Sequence, residues 1–373
     1  MFFLSTEQEM LKKIAVELVE NEIKPVANKM EREKEFPRHL FKTLGEAGIL
    51  GLTIPYEYDG NMVDSISYIT ILEEISRGWI AVAGAISVHS MVAELINNFG
   101  TEKQKKKYLP SLASGDMIGA IAITEPEAGS DIQAISCNAR SQDAGYCLNG
   151  NKIFVTSGGE AELYIILCRT ENSFTTFLVE KEDPGFEFGK LEEKMGYDSS
   201  PTRELIMNEC FVPDNRMLGS AGMGLDVIFK GLNAGRVGVG CMATGVSRAA
   251  IEHACAHMKN RKQFGKSLGQ FQGLQFMVSD MAARLEAARS LLYTTALKKD
   301  SGESFTREAS MAKLFASDTA MHITTQAVQL LGGYGYTRDY PVERFMREAK
   351  MLQIVEGTNE IQKMIIWREI FYF

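Results

Sequence analysis

The sequence is poor in the residues that build metal and redox sites. It contains six cysteines and five histidines in 373 residues, and no two cysteines form a C-x-x-C pair. This excludes a cysteine zinc framework and a C-x-x-C redox motif. His253 and His257 stand four residues apart on a predicted helix, but further ligands are missing, so we expect no metal site there. Scattered single cysteines are typical of a reducing compartment.

Positive charge is scarce as well. The formal net charge is −8, which argues against a nucleic-acid partner because phosphate binding needs a basic surface. The short basic run at 103–107 is interpreted as a solvated helix face. Residues Met1–Glu9 carry no signal-like segment, and we find no apolar run of about 18 residues. We therefore expect a cytoplasmic protein without a membrane span.

The usual nucleotide-binding fingerprints are absent too. The sequence has no G-x-x-x-x-G-K-S/T motif, which a P-loop requires. Gly238-Val-Gly240 lies inside a helical pattern with no strand before it, whereas a dinucleotide fingerprint needs a strand, a turn and a helix. We interpret these glycines as helix-packing positions.

What the sequence does contain is a hydrophobic period that changes twice. Residues 1–117 follow helical spacing, with clear helices at 64–77 and 80–98, residues 118–222 follow a period of two, and residues 223–373 return to helix. We therefore predict an α+β fold with an N-terminal helical domain, a small central β-barrel or sandwich domain and a C-terminal four-helix bundle, divided at these boundaries.

Cap and breaker signals place the ends of the first helix. Ser5 with Gln8, or Thr6 with Glu9, can form a capping box at its start. Pro25 should break or kink it, because proline removes a helical hydrogen bond and its ring clashes with the preceding turn.

Runs of β-branched and aromatic residues predict the strands of the central domain. These are Ile118–Ile123, Ile153–Thr156, Leu163–Cys168, Thr175–Glu180 and Arg203–Val212. Asn149-Gly150 predicts a hairpin turn, because a type I′ turn needs positive φ at both central residues. In the last domain, long periodic segments near 223–260, 271–299 and 305–331 precede shorter helices at about 342–354 and after Gly357.

Three stretches combine turn residues with groups that can contact a ligand. Residues 122–131 (AITEPEAGSD) end a strand in a turn that exposes N–H groups and hydroxyls. Residues 329–339 (QLLGGYGYTRD) end a helix in a glycine loop. Residues 353–362 (QIVEGTNEIQ) hold Glu356 between two helices. Taken singly, they also fit a strand-to-loop turn, a helix C-cap and an exposed loop carboxylate.

In this order and spacing, the three stretches resemble the acyl-CoA dehydrogenase family over essentially the whole chain. The first two resemble the family's signature patterns, and the third resembles the loop that carries its catalytic base. The resemblance implies the three-domain fold above, bound FAD and a homotetramer built as a dimer of dimers. It also implies an acyl-CoA substrate, a role in fatty-acid β-oxidation and electron-transfer flavoprotein as the electron acceptor.

Carried over position by position, the resemblance implies two sets of FAD contacts. The flavin ring would be lined by Ile121, Ile123, Thr124 and Ser130 on one side and by Phe154 and Thr156 on the other. The FAD of a neighbouring subunit would be reached by Arg261, Gln263, Phe264, Gln272, Gln329 and Gly333, with further contacts from Thr358 and Glu360. Most relatives have tryptophan where Phe154 stands, so this contact is smaller here.

The same resemblance assigns Glu356 as the base. It would abstract the α-proton while flavin N5 takes the β-hydride, which yields the trans-2-enoyl-CoA. Dry surroundings should raise the pKa of Glu356, because desolvation penalises the charged form. Its backbone N–H and a flavin ribityl hydroxyl would donate to the thioester oxygen. Substrate contacts are implied for Ser130, Asn233, Gly235, Arg236 and Gly357.

Chain length is the least determined property. Gly235 stands where one branch of the family carries its base, and glycine there resembles short-chain members. Many relatives have tyrosine where Val355 stands, so packing of the thioester is expected to differ. The segment Ile80–Ser90 holds no arginine or lysine, which disfavours a dicarboxylic substrate. An acyl-CoA oxidase of the same fold and a non-catalytic CoA-ester-binding relative remain as alternatives.

Overall fold

The computed structural model describes residues 4–171 and 173–372. Its N-terminal part contains six α-helices: α1, Thr6–Leu18; α2, Lys24–Glu33; α3, Arg38–Glu46; α4, Ser65–Gly78; α5, Ile80–Phe99; and α6, Glu102–Ser114. Of the two capping boxes that the sequence allows, the one between Ser5 and Gln8 is formed.

The predicted interruption at Pro25 is confirmed. Between α1 and α2 the chain makes one π-helical turn, Val19–Ile23. Pro25 lies in the first turn of α2, directly after the π-helical turn, and the backbone keeps right-handed helical angles through this junction. The chain therefore stays helical, and the interruption is a local change of the helical hydrogen-bond pattern just before the proline.

Helix α5 contradicts the expectation that no long apolar run exists. In the described part of the chain it is the one helix long and apolar enough to cross a membrane by length and composition. However, 83% of its apolar window is buried inside the protein, because α5 packs against α4 and against the first long helix of the C-terminal part. Its hydrophobicity is that of a core helix.

The central part is one mixed sheet. Its strands are β1, Gly119–Ala122; β2, Asn138–Gln142; β3, Gly145–Thr156; β4, Leu163–Thr170; β5, Ser173–Glu180; β6, Phe186–Leu191; β7, Thr202–Pro213; and β8, Met217–Leu218. The order is β6-β7-β3-β2-β4-β5-β8, and β1 pairs with β4 in parallel. The five predicted strands are present, whereas β2, β6 and β8 were not predicted.

The hairpin prediction at Asn149-Gly150 is wrong. Both residues lie inside β3, where the register to β7 shifts between Leu148 and Gly150. A Cβ at Gly150 would lie 2.8 Å from Cys137 Cα, so glycine permits close approach of the neighbouring chain. The turn between β2 and β3 is formed instead by Asp143 and Ala144, which lie between the paired residues Gln142 and Gly145.

The C-terminal part is helical again: α7, Gly224–Asn260; α8, Gln272–Asp300; α9, Thr306–Leu331; α10, Val342–Leu352; and α11, Asn359–Phe371. A two-stranded ribbon, β9 (Lys262–Gln263) and β10 (Lys266–Ser267), separates α7 from α8. An added Cβ at Gly238 would meet Ser87 Oγ at 2.0 Å, and one at Gly240 would meet Leu292 Cδ2 at 2.5 Å. Both glycines are therefore helix-packing positions, and the predicted order of helices, sheet and helices is confirmed.

Candidate active site

The loop between α10 and α11 holds Glu356 in a left-handed backbone conformation. Its φ is 56°, and that of the following Gly357 is 84°. For a residue with a side chain this conformation costs about 1 kcal/mol or more, and it persists where the surroundings impose it, often at functional sites. Thr358 then caps α11, because its hydroxyl accepts a hydrogen bond from the N–H of Ile361.

The Glu356 carboxylate packs directly against α7 at Gly235. A Cβ atom added to Gly235 would lie 2.4 Å from Glu356 Oε2 and 2.7 Å from its Cδ. Oε2 is shielded from solvent and has no hydrogen-bond partner in the described residues. Burial raises the pKa of Glu356 to about 7, against the opposing charges of Arg236 and Lys313. Glu356 is therefore not a solvated loop carboxylate, and Gly235 makes the space that it occupies.

Arg236 and Asn233 lie beside Gly235 on α7. The Arg236 side chain is buried, and its Nη1 donates to Asn233 Oδ1 at 2.7 Å. Asn233 Nδ2 in turn donates to Thr306 Oγ1 at 3.0 Å, at the start of α9. Burial lowers the pKa of Arg236, and the Glu356 carboxylate opposes that shift. Asn233, Gly235 and Arg236, for which substrate contacts were predicted, and Glu356 thus form one connected group.

A second group forms where β1 ends beside β3. The N–H of Ile153 donates to Thr124 O at 2.8 Å, and Lys152 Nζ donates to Ile123 O at 2.9 Å. Phe154 then points outward with 59% of its surface exposed and a φ of 57°. The backbone therefore presents the Ile123–Thr124 edge and the Phe154 ring on neighbouring chain segments, with Thr156 two residues further along β3.

A buried ion pair that the sequence analysis missed anchors this edge. Lys152 and Glu125 are almost fully buried and lie 2.7 Å apart. Glu125 also accepts hydrogen bonds from the N–H groups of Ser136 and Cys137. The turn that follows β1, up to the exposed Ser130, is thus fixed at Glu125. A glutamate inside a Pro/Gly turn gave no signal that it would be buried.

An apolar cluster joins this edge to α7. Ile121 and Ile123 pack with Ala128 of the turn and with Ile228 and Leu232 of α7. Leu232 directly precedes Asn233. The end of β1 and the segment of α7 that carries Asn233 are therefore neighbours, although about a hundred residues separate them in the sequence.

The remaining predicted residues lie in a third, exposed group around the β9–β10 ribbon and the C-terminus of α9. Arg261, Gln263, Phe264, Gln272, Gln329 and Gly333 all belong to it. The Arg261 guanidinium lies 5.5 Å from the centre of the Tyr334 ring, which joins the ribbon to the helix end. Within the described residues, no side-chain hydrogen bond joins this group to the Glu356 loop. Glu360 is exposed in the first turn of α11.

Two features of these surfaces fit a flavin dinucleotide. Phe154 and Phe264 are exposed apolar rings, 59% and 93% accessible, on backbone with positive φ. Gly265, Gly332 and Gly333 have no atom within 4 Å of an added Cβ, so their backbone is open to close approach. Flat apolar contacts suit the isoalloxazine ring, and open backbone suits a phosphate and ribose chain.

Three polar residues beneath the Glu356 loop were also missed. Lys313 of α9 is fully buried, and Asn359 and Gln362 of α11 contact the loop or Lys313. Lys313 stands among alanines that form a buried face of α9, Ala309, Ala312, Ala316 and Ala320. A charged residue on such a small-residue helix face is the signal that could have revealed it.

Comparison with known proteins gives consistent matches along the chain. Family models described as acyl-CoA dehydrogenase N-terminal, middle and C-terminal domains match residues 5–116, 120–210 and 222–371. The short-chain specific acyl-CoA dehydrogenase of Clostridium acetobutylicum is 43% identical over 99% of both chains. Butyryl-CoA dehydrogenase of Megasphaera elsdenii superposes with a TM-score of 0.97 at 40% identity, covering 99% of both chains. A chain in a solved structure of electron transferring flavoprotein of Acidaminococcus fermentans superposes with a TM-score of 0.98 at 42% identity, covering 100% of both.

Proposed function

Because this chain belongs to the acyl-CoA dehydrogenase family and is a flavin-dependent oxidoreductase, we propose that Glu356 is the base that removes the α-proton of a short-chain acyl-CoA. The observation that carries the assignment is the Glu356 carboxylate packed against Gly235 with a pKa raised to about 7. A base whose pKa lies near the working pH is partly deprotonated and is still basic enough to remove the proton.

The residues around Glu356 support removal of a weakly acidic proton. The N–H of Glu356 has no backbone acceptor within the described residues, so it can donate to the thioester oxygen as negative charge develops there. Arg236 and Lys313 place two cations near the carboxylate, which keeps part of the base ionised despite its burial.

We assign FAD contacts to the exposed edge at Thr124, Phe154 and Thr156, with Ile121, Ile123 and Ser130 beside it. Bound FAD supplies the acceptor for the β-hydrogen, which leaves as hydride. The residues of this chain orient the substrate between that edge and α7, because the apolar cluster at Leu232 holds the two surfaces together.

A small cavity supports a short acyl chain. It has a volume of about 20 Å³ and lies between α4, α5, α7 and α8. Its lining includes Ala234, the neighbour of Gly235, and also Tyr68, Ser90 and Met91. Glu94 and Lys299 also line it and form an ion pair at 2.8 Å. A longer alkyl tail would have to displace this pair, which disfavours medium and long chains.

The exposed third group supports assembly into a homotetramer. Its arginine, glutamines and open glycines are exposed, and within the described residues they make no side-chain hydrogen bond to the Glu356 loop, so we assign them to the FAD of a neighbouring copy. Electron-transfer flavoprotein is the acceptor that we propose, supported by the match to a chain in a structure of that protein. The six free cysteines support a reducing compartment such as the cytoplasm.

The test is anaerobic reduction of the purified FAD-loaded protein by acyl-CoAs of four to sixteen carbons. We expect butyryl-CoA to bleach the flavin absorbance fastest, followed by slow reoxidation in air. Rapid reoxidation by oxygen would favour the oxidase, and a protein that no acyl-CoA bleaches would favour the binding-only alternative. Faster bleaching by octanoyl- or palmitoyl-CoA than by every four- or five-carbon ester would overturn the short-chain assignment.

A further inference from the structure

Lys313 contacts the backbone that carries the base. It lies on α9 with its side chain fully buried. Its Nζ donates to Gly357 O at 3.0 Å and to Asn359 Oδ1 at 2.8 Å. A buried ammonium without partners is strongly unfavourable, so these two contacts define where the group must sit. Gly357 directly follows Glu356 in the strained loop.

The carbonyl groups of this loop are held from below by side chains of two helices. Gln362 Nε2 on α11 donates to Glu356 O at 3.1 Å and to Gly357 O at 2.8 Å. The second acceptor is the one that Lys313 also contacts. Because Glu356 is a non-glycine residue with positive φ, the loop conformation depends on such external hydrogen bonds. Among these hydrogen bonds, the one from Lys313 to Gly357 O has a charged donor.

Asn359 extends the network and fixes the ammonium in turn. Its Nδ2 donates to Ser317 Oγ at 3.0 Å and to Asp318 Oδ1 at 2.8 Å, both on α9. This orients Asn359 Oδ1 toward Lys313. The lysine is therefore held by its own helix, through Asn359, as well as by the loop.

Charge is the second property that Lys313 brings to Glu356. The charged groups that face Glu356 are Arg236 from α7 and Lys313 from α9, and both oppose the effect of burial on its pKa. Burial lowers the pKa of Lys313 itself to about 8, opposed by Glu356 and Asp318, while Arg236 lowers it and Glu360 raises it. The lysine thus stays largely protonated at neutral pH because the two carboxylates face it.

We propose that Lys313 is a positioning residue for the dehydrogenation, which fixes the loop that carries Glu356 and supplies a positive charge beneath its carboxylate. The proposal rests on the assignment of Glu356 as the base. Gln362 shares the mechanical role but not the charge, since it contacts the same carbonyl groups as a neutral donor. This difference allows the two roles to be separated by experiment.

The experiment measures the pH profile of kcat/KM with butyryl-CoA for the FAD-loaded wild type and matched variants. Lys313→Gln removes the charge but keeps a donor for Gly357 O, and Lys313→Arg keeps the charge. Gln362→Met removes the neutral donor and leaves Lys313 in place. Lys24→Gln, which removes a remote partly exposed lysine paired with Glu20, controls for loss of charge alone.

Lys313→Gln should move the acid limb of the profile upward by about one pH unit, because a neighbouring opposite charge lowers a carboxyl pKa by about 1–3 units. Its activity at pH 7 should fall about fivefold and recover as the pH rises, because a base whose pKa moves from about 7 to about 8 is about fivefold less deprotonated at that pH. Lys313→Arg and Lys24→Gln should keep the wild-type limb, and Gln362→Met should lower kcat without moving it. An unmoved limb in Lys313→Gln with a lowered melting temperature would reduce Lys313 to a structural support and overturn the proposal.

If Lys313→Gln does not fold, the interaction between Lys313 and Glu356 is measured instead through the pKa of Lys313. The FAD-loaded protein is labelled with ¹³C at the lysine ε-carbons, and the resonance missing from Lys313→Arg identifies Lys313. Loss of the carboxylate in Glu356→Gln should lower the pKa of Lys313, and an unchanged pKa would overturn the proposal. An active Glu356→Gln enzyme would instead refute Glu356 as the base, so the two failures are distinguishable.

Discussion

Two regions of this chain carry residues that resemble ligand contacts, and the chain supports them very differently. Around Glu356 the side chains are buried and tied to one another across α7, α9 and α11. Around the β9–β10 ribbon and the end of α9, Phe264 is 93% exposed, and a Cβ atom added to Gly332 or Gly333 would have no neighbouring atom within 4 Å. One region is completed by the packing of its own chain, whereas the other presents surfaces that only another molecule can cover.

We propose that the buried region carries out the chemistry and that the exposed one retains the cofactor. A base needs a fixed geometry and a tuned pKa, which tight packing provides. A contact to a neighbouring copy needs an accessible surface. Substitutions in the first region should therefore reduce catalysis, and those in the second should reduce FAD binding and assembly together.

Glu356→Gln should have the largest effect. It keeps the size of the side chain and removes the base, so kcat should fall by about 10²–10⁴-fold while FAD content and secondary structure stay those of the wild type. Flavin absorbance, circular dichroism and anaerobic bleaching by butyryl-CoA measure the three properties. A variant that retains more than about a tenth of wild-type kcat would remove Glu356 from this role.

Gly235→Ala should come next, because the new Cβ would lie 2.4 Å from Glu356 Oε2. Displacing the carboxylate by about 1 Å should lower kcat about 100-fold. Gly269→Ala is the control, since its Cβ would meet its nearest neighbour, Met258 O, at an ordinary 3.6 Å. Equal activity of the two variants would show that the carboxylate does not need the space at Gly235.

The pH dependence should be moderate and of defined sign. Burial raises the pKa of Glu356 to about 7, and the base acts when deprotonated. The kcat/KM of the free enzyme should therefore fall about tenfold per pH unit below that value and level off above it. A profile that stays flat between pH 5 and 7 would contradict a base with a raised pKa.

Arg261→Ala probes the exposed region and should have a smaller effect. Losing a charged donor costs about 1.5 kcal/mol or more, so we expect FAD to bind about tenfold more weakly and the subunits to dissociate at higher concentration. Flavin release and sedimentation velocity follow the two effects. A wild-type protein that is yellow, active and strictly monomeric would contradict the proposal that the exposed region contacts the FAD of a neighbouring subunit.

The smallest effect is expected at the Glu94–Lys299 ion pair, which lines the cavity proposed for the acyl chain. Replacing Glu94 and Lys299 together by leucine removes their ion pair and should favour longer esters, because each buried methylene contributes about 0.8 kcal/mol. The ratio of kcat/KM for hexanoyl-CoA to that for butyryl-CoA should rise by about fourfold or more. An unchanged ratio would show that the pair does not limit chain length.

Prediction from sequence succeeded where local pattern and final burial agree. The helices at 64–77 and 80–98 correspond to α4 and α5, since their apolar residues repeat at helical spacing. It failed where neighbours override the local signal. Asn149-Gly150 has the composition of a turn, yet β7 and the chain at Cys137 hold it inside β3. Strand β2 (Asn138–Gln142) was missed because it is polar and mostly exposed.

The candidate site divides in the same way. The sequence motifs pointed to Glu356, Gly235 and Arg236, because the resemblance fixes their places along the chain. The sequence could not show that Gly235 faces the Glu356 carboxylate. The two residues are 121 positions apart, and the contact exists only after α7 packs beside the α10–α11 loop. Lys313 lies outside the three stretches, and Glu125 and Gln362 lie within them without any local sign of their burial or their contacts.

By itself, the sequence determined the order of helices, strands and helices and the kind of chemistry, because periodicity and short motifs are local properties of the chain. Only the tertiary structure decided the state of the base. Its raised pKa arises from burial against α7, and its position arises from hydrogen bonds that α9 and α11 direct at one loop. Burial and electrostatic fields are sums over groups that are distant in sequence, so they become defined only when the chain has folded.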